Sequence, residues 1–104
     1  MHHVELSRRA QRDLRRTQGR TRTRLLRLLE QELAAEPQPP NLDVKPLAGR
    51  APWLRLRHGD YRVLYRALTP GELRDREVDN DRGFLVERVI DRKALERAAA
   101  TLPS

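Results

Sequence analysis

Hydrophobic positions along this chain follow two rhythms. Up to residue 35 they recur every three or four residues, whereas from Trp53 they alternate with charged ones. His3 to Leu6 is short and mixed, and weakly strand-like. Ser7 is placed to cap a helix, because its side chain can accept from the unpaired amides of a first turn. Ala10 and Leu14 then repeat at i, i+4, with Arg8, Arg9, Arg12, Arg15 and Arg16 around the remaining surface. Gly19 marks a break. Thr21 to Ala35 reads as a second helix, with Leu25, Leu28, Leu29 and Leu33 on one stripe. Two helices so closely joined predict an antiparallel hairpin.

Pro37, Pro39 and Pro40 end that helix and predict an extended connector, since proline lacks the amide donor and restricts the residue before it. Trp53-Leu54-Arg55-Leu56-Arg57 has the alternation of a half-buried strand. His58-Gly59-Asp60 is a tight turn, and Tyr61 to Arg66 is a second strand rich in β-formers. Thr69-Pro70-Gly71 opens a loop that reads as an extended charged hairpin reaching Gly83. Phe84 to Ile90 is a further strand, and Arg92 to Ala100 is a short helix with Asp91 as its cap.

This order predicts one α+β domain over residues 1–104: an N-terminal strand and a two-helix hairpin packed on an antiparallel β-sheet, then a short C-terminal helix. The sheet face away from the hairpin is expected to be partly open. Arg55 and Arg57 share one side of their strand, and Arg62 and Arg66 share one side of the next. If those sides coincide, four guanidiniums line a single concave surface; a one-residue slip in register would separate them. Tyr61, Val63 and Tyr65 then face the core, and Trp53 is expected to pack.

A length of 104 residues suits one core and leaves no room for a second. The chain has 22 Lys plus Arg against 15 Asp plus Glu, a net charge of +7. Only Lys45 and Lys93 are lysines. Guanidinium forks match phosphate oxygens in pairs and stack on bases, which favours a nucleic-acid partner. The charge is also uneven: nine arginines between Met1 and Arg27 face only Glu5 and Asp13, while Glu72, Asp75, Glu77, Asp79 and Asp81 make a later acidic stretch. The absence of Cys excludes disulfides, thiol catalysis and cysteine-held zinc. No apolar run approaches the roughly 18 residues of a bilayer span, so the expected setting is cytoplasmic, away from any membrane.

Specific residues add a resemblance. Ala10 and Leu14, Lys45-Pro46-Leu47 with Gly49, Trp53 with Leu56 and Arg57, Gly59 through Tyr65, and Val89 with Arg92 together resemble the RelE/ParE superfamily of toxins from type II toxin–antitoxin modules. The stretch Gly59-Asp60-Tyr61-Arg62-Val63-Leu64-Tyr65 after Arg55-Leu56-Arg57 is the most specific part, and the resemblance spans essentially the whole chain. It implies two helices on a strongly curved sheet, a variable C-terminal segment, and a cognate antitoxin bound in a hetero-oligomer. RelE-like members cleave mRNA in the ribosomal A site; ParE-like members poison DNA gyrase.

Metal-independent RNA cleavage uses the 2′-hydroxyl as nucleophile, and needs a base, cations for the phosphorane and an acid for the leaving 5′-oxygen. Arginine suits the middle role and is a poor proton carrier. By the resemblance, Arg55 lies where a central-strand lysine falls, Arg62 matches the strand arginine of the Tyr-Arg motif, and Arg92 matches the arginine after the last strand. Where a C-terminal tyrosine is expected this chain has Ala98, and residues 93–104 contain neither an aromatic ring nor an imidazole. His58, in the turn between the arginine strands, is the acid/base candidate because imidazole titrates near neutrality. The expected catalytic set is thus Arg55, Arg62, Arg92 and His58, with Arg55, Arg57, Arg62, Arg66 and Lys93 holding phosphates. No spacing suggests a metal or cofactor site. The leading expectation is a RelE-like endoribonuclease (mRNA interferase) acting on ribosome-bound mRNA and inhibiting translation. A ParE-like gyrase inhibitor without its own catalysis, or a catalytically weak RNA-binding homologue, is the alternative.

Overall fold

The computed structural model describes residues 1–103. Its first strand, β1 (His3–Leu6), pairs in parallel with the last, β5 (Gly83–Asp91), with Val4 opposite Phe84. Ser7 caps α1 (Arg8–Arg15) as its residue type suggests, its side chain accepting from the Ala10 amide. The second helix begins earlier than expected: α2 (Gly19–Arg27) starts at the glycine read as a break, and Leu28–Leu33 continues it with the wider π spacing. Arg22 fastens the hairpin, donating through Nε to the Leu14 carbonyl and through Nη2 to the carbonyls of Arg15 and Thr17.

The connector after the proline-rich stretch is not merely extended. Asp43–Pro46 forms an edge strand, β2, antiparallel to β3 (Leu54–His58). A type of turn brings β3 back into β4 (Tyr61–Ala67), with Gly59 at φ +59°, a left-handed conformation that glycine adopts without a Cβ clash. β4 pairs with β5, completing the sheet order β1-β5-β4-β3-β2. The region expected as an extended charged hairpin instead contains a helix, α3 (Pro70–Asp75). Thr69 accepts from the Glu72 amide while the Glu72 side chain accepts from the Thr69 amide, a reciprocal cap, and Pro70 fits the first turn because no amide is needed there.

Alternation sorts the sheet into two faces. Leu56, Val63, Tyr65, Val86 and Val89 meet Ala10 and Leu14 of α1 and Leu25, Leu28, Leu29 and Leu33 beyond it, all buried. Full burial of one such leucine is worth roughly 1.5–3 kcal/mol, so this helical stripe is the main anchor of the hairpin. On the other face Leu64, Ile90 and Ala98 form a second, smaller core, joined by Leu47, Ala94, Leu95 and Leu102. The terminal helix α4 (Leu95–Ala100), reached through a 3₁₀ turn at Arg92–Ala94, thus covers part of the face expected to be open. A bulge at Glu87 shifts the β4–β5 register between Leu64 and Tyr65. Next to it, Arg88 pairs with Asp13 of α1 at 2.8 Å, and the Val89 amide donates to the same carboxylate. No described helix is long and apolar enough to cross a membrane.

Candidate functional site

The register decides which arginines meet. Arg57 lies directly opposite Arg62, so both project from one face of the β3–β4 ladder, and Arg55 lies on that face two residues along. Arg92 joins them where β5 ends: its amide donates to the Asp60 carbonyl, and its Nε lies 3.8 Å from an Asp60 carboxylate oxygen. Arg62 folds back so that Nη1 donates to the carbonyls of Gly59 and Tyr61, both at 2.9 Å. Partial burial lowers the Arg62 pKa, and the positive charges of Arg57, Arg55 and Arg92 push it further in the same direction. The positive charges of Arg55, Arg57 and Arg92 thus converge on Arg62 across this surface, where an incoming phosphate would offset them.

The fourth arginine is not the one expected. Arg66 also leaves β4 on this side, but it is engaged within the protein by Glu72 through two hydrogen bonds of 2.7 and 2.8 Å. Its guanidinium also sits 5.6 Å from the centre of the Trp53 ring. Glu72 raises the Arg66 pKa, and Arg66 in turn lowers that of Glu72 to about 2. Arg66 is thus a structural ion pair that stitches β4 to α3, which replaces its expected place on the phosphate surface. Trp53 is buried, as a packing residue should be, with its indole N–H donating to the Pro103 carbonyl.

His58 is corrected too. Strand alternation puts it with Leu54 and Leu56, on the face opposite Arg55 and Arg57, and it pairs with Tyr61 in the ladder. There it lines a hollow of about 300 Å³ with Thr21 and Arg24 of α2, on the helical side of the sheet. Its position in the turn suggested proximity to the arginines; the twofold period of the strand puts the sheet between them. Lys93 is exposed in the 3₁₀ turn, where its amide is capped by the Asp91 carboxylate. Ala98 is buried in the second core against Leu64 and Ile90.

Two residues absent from the expected set enter through β2. Lys45 lies directly opposite Arg55, and Asp43 lies directly opposite Arg57, so both project onto the arginine face. The Asp43 carboxylate is 3.5 Å from the Arg55 guanidinium. The signal was present as the alternation Asp43-Val44-Lys45, with half-buried Val44 pointing inward between exposed neighbours. A strand of four residues after three prolines is too short for periodicity alone to announce it. The surface thus carries Arg55, Arg57, Arg62 and Arg92 with an ammonium and a carboxylate at its β2 edge. Among the described residues, no group of three or more His, Asp or Glu side chains is arranged to hold a metal ion.

Over residues 4–95 the chain matches the family described as the ParE toxin of the type II toxin–antitoxin system parDE. No curated protein matches it. Among solved structures it is similar to the RelB–RelE antitoxin–toxin complex from Methanococcus jannaschii, with 20% identity, 91% of this chain and 98% of that chain covered, and a TM-score of 0.65. It is also similar to the toxin–antitoxin complex RelBE2 from Mycobacterium tuberculosis, with 25% identity, 88% and 98% covered, and a TM-score of 0.66.

Proposed function

The chain belongs to the ParE toxin family of type II toxin–antitoxin systems, and we propose, from its arginine face, that it engages and cleaves ribosome-bound mRNA, inhibiting translation. The observation that carries this reading is the gathering of Arg55, Arg57, Arg62 and Arg92 on one sheet face, set by the Arg57–Arg62 register and by the hydrogen bond from the Arg92 amide to the Asp60 carbonyl. A cluster of guanidiniums fixed on one face suits an anion whose charge grows during reaction, as a phosphorane's does. Arg55 and Arg57 hold the flanking phosphates; Arg62 and Arg92 stabilise the two equatorial oxygens.

Proton transfer falls to the β2 edge. The Asp43 carboxylate accepts the proton of the 2′-hydroxyl as that oxygen attacks phosphorus. The bond from phosphorus to the 5′-oxygen breaks, and the Lys45 ammonium gives the departing oxygen its proton. The products are a 2′,3′-cyclic phosphate and a 5′-hydroxyl. His58 and Arg66 take no part, for the reasons of placement given above.

A second reading is ParE-like inhibition of DNA gyrase by binding alone, which the match to the ParE toxin family and one feature of the chain favour. The position where the resemblance expects a tyrosine is Ala98, which is buried and offers no functional group. Induced expression separates the two. Mapping of RNA 5′-ends in cells expressing the wild type and Arg62→Ala should show ends within translated codons that vanish in the variant. Growth arrest with intact messages and gyrase-dependent DNA breaks would replace the nuclease reading by the second one.

The partner is a cognate antitoxin, since both solved relatives named above are antitoxin complexes. An acidic or amphipathic segment laid on the arginine face would neutralise it and give a toxin–antitoxin hetero-oligomer. Co-expression with the neighbouring open reading frame should restore growth, and failure of every adjacent frame to do so would count against the pairing.

A further inference from the structure

The helical hairpin carries a second cationic surface, on the other side of the sheet from the proposed site. On α1 and its cap, Arg8, Arg12, Arg15 and Arg16 are exposed. On α2, Arg20, Arg24 and Arg27 are exposed and recur at about one helical turn. None of these seven has a carboxylate within 4.0 Å among the described residues, whereas Arg9, Arg55, Arg66, Arg76, Arg88 and Arg92 each do. Arg22 is used to lock the two helices together, so both rows are presented on a rigid support.

One part of this surface is concave. Arg9, Arg12, Arg16 and Arg88 line a hollow of about 190 Å³ whose only acidic lining residue is Asp13. Asp13 is already engaged by Nε and Nη2 of Arg88 and by the Val89 amide, so it leaves Arg12 and Arg16 without a counter-charge. The cost of concentrating so many like charges is borne by the fold without internal relief, which points to an external polyanion.

Three chemical facts select the kind of polyanion. The exposed positions of the hairpin are Arg, Gln, Thr, Glu and Gly, and Met1 is the only large apolar residue exposed among the described residues. An amphipathic peptide would therefore find no apolar anchor here. The hairpin also contains no aromatic residue, because Trp53, Tyr61, Tyr65 and Phe84 all lie beyond it. Unpaired bases would have nothing to stack on. A duplex backbone needs neither anchor nor stacking platform, only fixed cations at regular spacing.

We propose that this hairpin face binds the phosphodiester backbone of double-stranded nucleic acid without reading its sequence, with one phosphate seated in the Arg9–Arg12–Arg16–Arg88 hollow. The binding is independent of cleavage at the opposite face. It would hold the chain on a structured nucleic acid while the sheet face addresses its own target.

The full chain, titrated into a fluorescent blunt RNA duplex two helical turns long and into the DNA duplex of matching sequence, tests this. Binding should weaken steeply with salt, and the tighter of the two duplexes names the source of the backbone. Arg12→Gln/Arg16→Gln should weaken binding about tenfold or more at moderate salt and reduce the slope of log K against log salt by about 2. Arg20→Gln/Arg24→Gln should act in the same direction, and Arg12→Lys/Arg16→Lys should recover most of the loss. Circular dichroism melting checks that each variant is folded. Salt-insensitive or absent duplex binding by the folded wild type overturns the proposal. So does loss of binding in Arg55→Gln/Arg57→Gln with full binding by both hairpin variants, or displacement of the duplex by polyglutamate at equal charge concentration.

Discussion

Arg57 and Arg62 are direct cross-strand partners, so two side chains of like charge leave the same face of the β3–β4 ladder one pair from its turn-proximal end. Like charges directly opposite one another destabilise a sheet. Arg57→Thr should therefore raise stability by about 0.5 kcal/mol while weakening phosphate binding on the same face. Thermal melting beside RNA cleavage checks both signs. A variant that is neither more stable nor less active would show that the repulsion is already relieved.

Lys45→Gln separates proton transfer from binding. If its ammonium protonates the leaving oxygen, cleavage should fall about 10²–10⁴-fold. Association with ribosomes should change little, because four arginines still face the message. Single-turnover cleavage and ribosome co-sedimentation measure the two independently. Equal losses in both would make Lys45 a binding residue instead.

Glu72 links stability to acid. Its pKa is about 2, held down first by the Arg66 hydrogen bonds and then by the Thr69 amide. A depressed folded-state pKa contributes stability above the unfolded value and loses it as pH falls through the folded value. Glu72→Gln keeps the shape of the helix cap and removes the charge, which should cost about 1–2 kcal/mol at pH 7. The gap from wild type should shrink between the ordinary value of 4.5 and about 2. Urea unfolding across that window reads it directly; a gap independent of pH would assign the effect to the cap alone.

Asp13 ties α1 to the bulge of β5. Its carboxylate accepts from Arg88 Nε at 2.8 Å, Arg88 Nη2 at 3.2 Å and the Val89 amide at 2.9 Å. Asp13→Ala leaves a partly buried guanidinium and an amide without partners, and should cost about 2–4 kcal/mol. Denaturant unfolding monitored at Trp53 gives the value.

Ala98→Tyr tests whether the tyrosine implied by the resemblance can simply be restored. Ala98 is 3% exposed and packs among Leu64 and Ile90. A ring inserted there overfills a packed core, at about 1–3 kcal/mol. The variant should melt lower and cleave no faster than wild type. A gain in cleavage would mean that α4 repacks and delivers the hydroxyl to the arginine face.

The parts of the fold legible in the sequence are those with a long enough period. Leu25, Leu28, Leu29 and Leu33 reveal the helical stripe, and Leu54-Arg55-Leu56-Arg57 reveals which strand residues are buried. The missed elements are short. β2 has four residues behind three prolines and α3 has six inside a charged stretch, too few for a period to rise above those surroundings. α3 did carry a local signal, Thr69-Pro70-Gly71-Glu72, which is the spacing of a reciprocal cap with proline in the first turn. It was masked by the density of charge that follows.

The candidate site divides along the same line. Alternation is a property of the extended backbone, so once these segments are strands Arg55 with Arg57, and Arg62 with Arg66, share a side whatever their pairing. Pairing between strands is not: it depends on the turn at Gly59 and on the burial of Leu56 against Val63, and it set Arg57 beside Arg62. The same alternation carried His58 to the helical side. Contacts between separate elements did the rest. Glu72 withdrew Arg66 from the surface, β2 brought Lys45 and Asp43 to it, and the close of β5 added Arg92. The sequence by itself determined the α+β class, the helical stripe, the family resemblance and the wealth of arginine. Tertiary structure alone decided which arginines stand together and which are neutralised, because charge acts through space and residues far apart along the chain become neighbours only when the sheet is assembled.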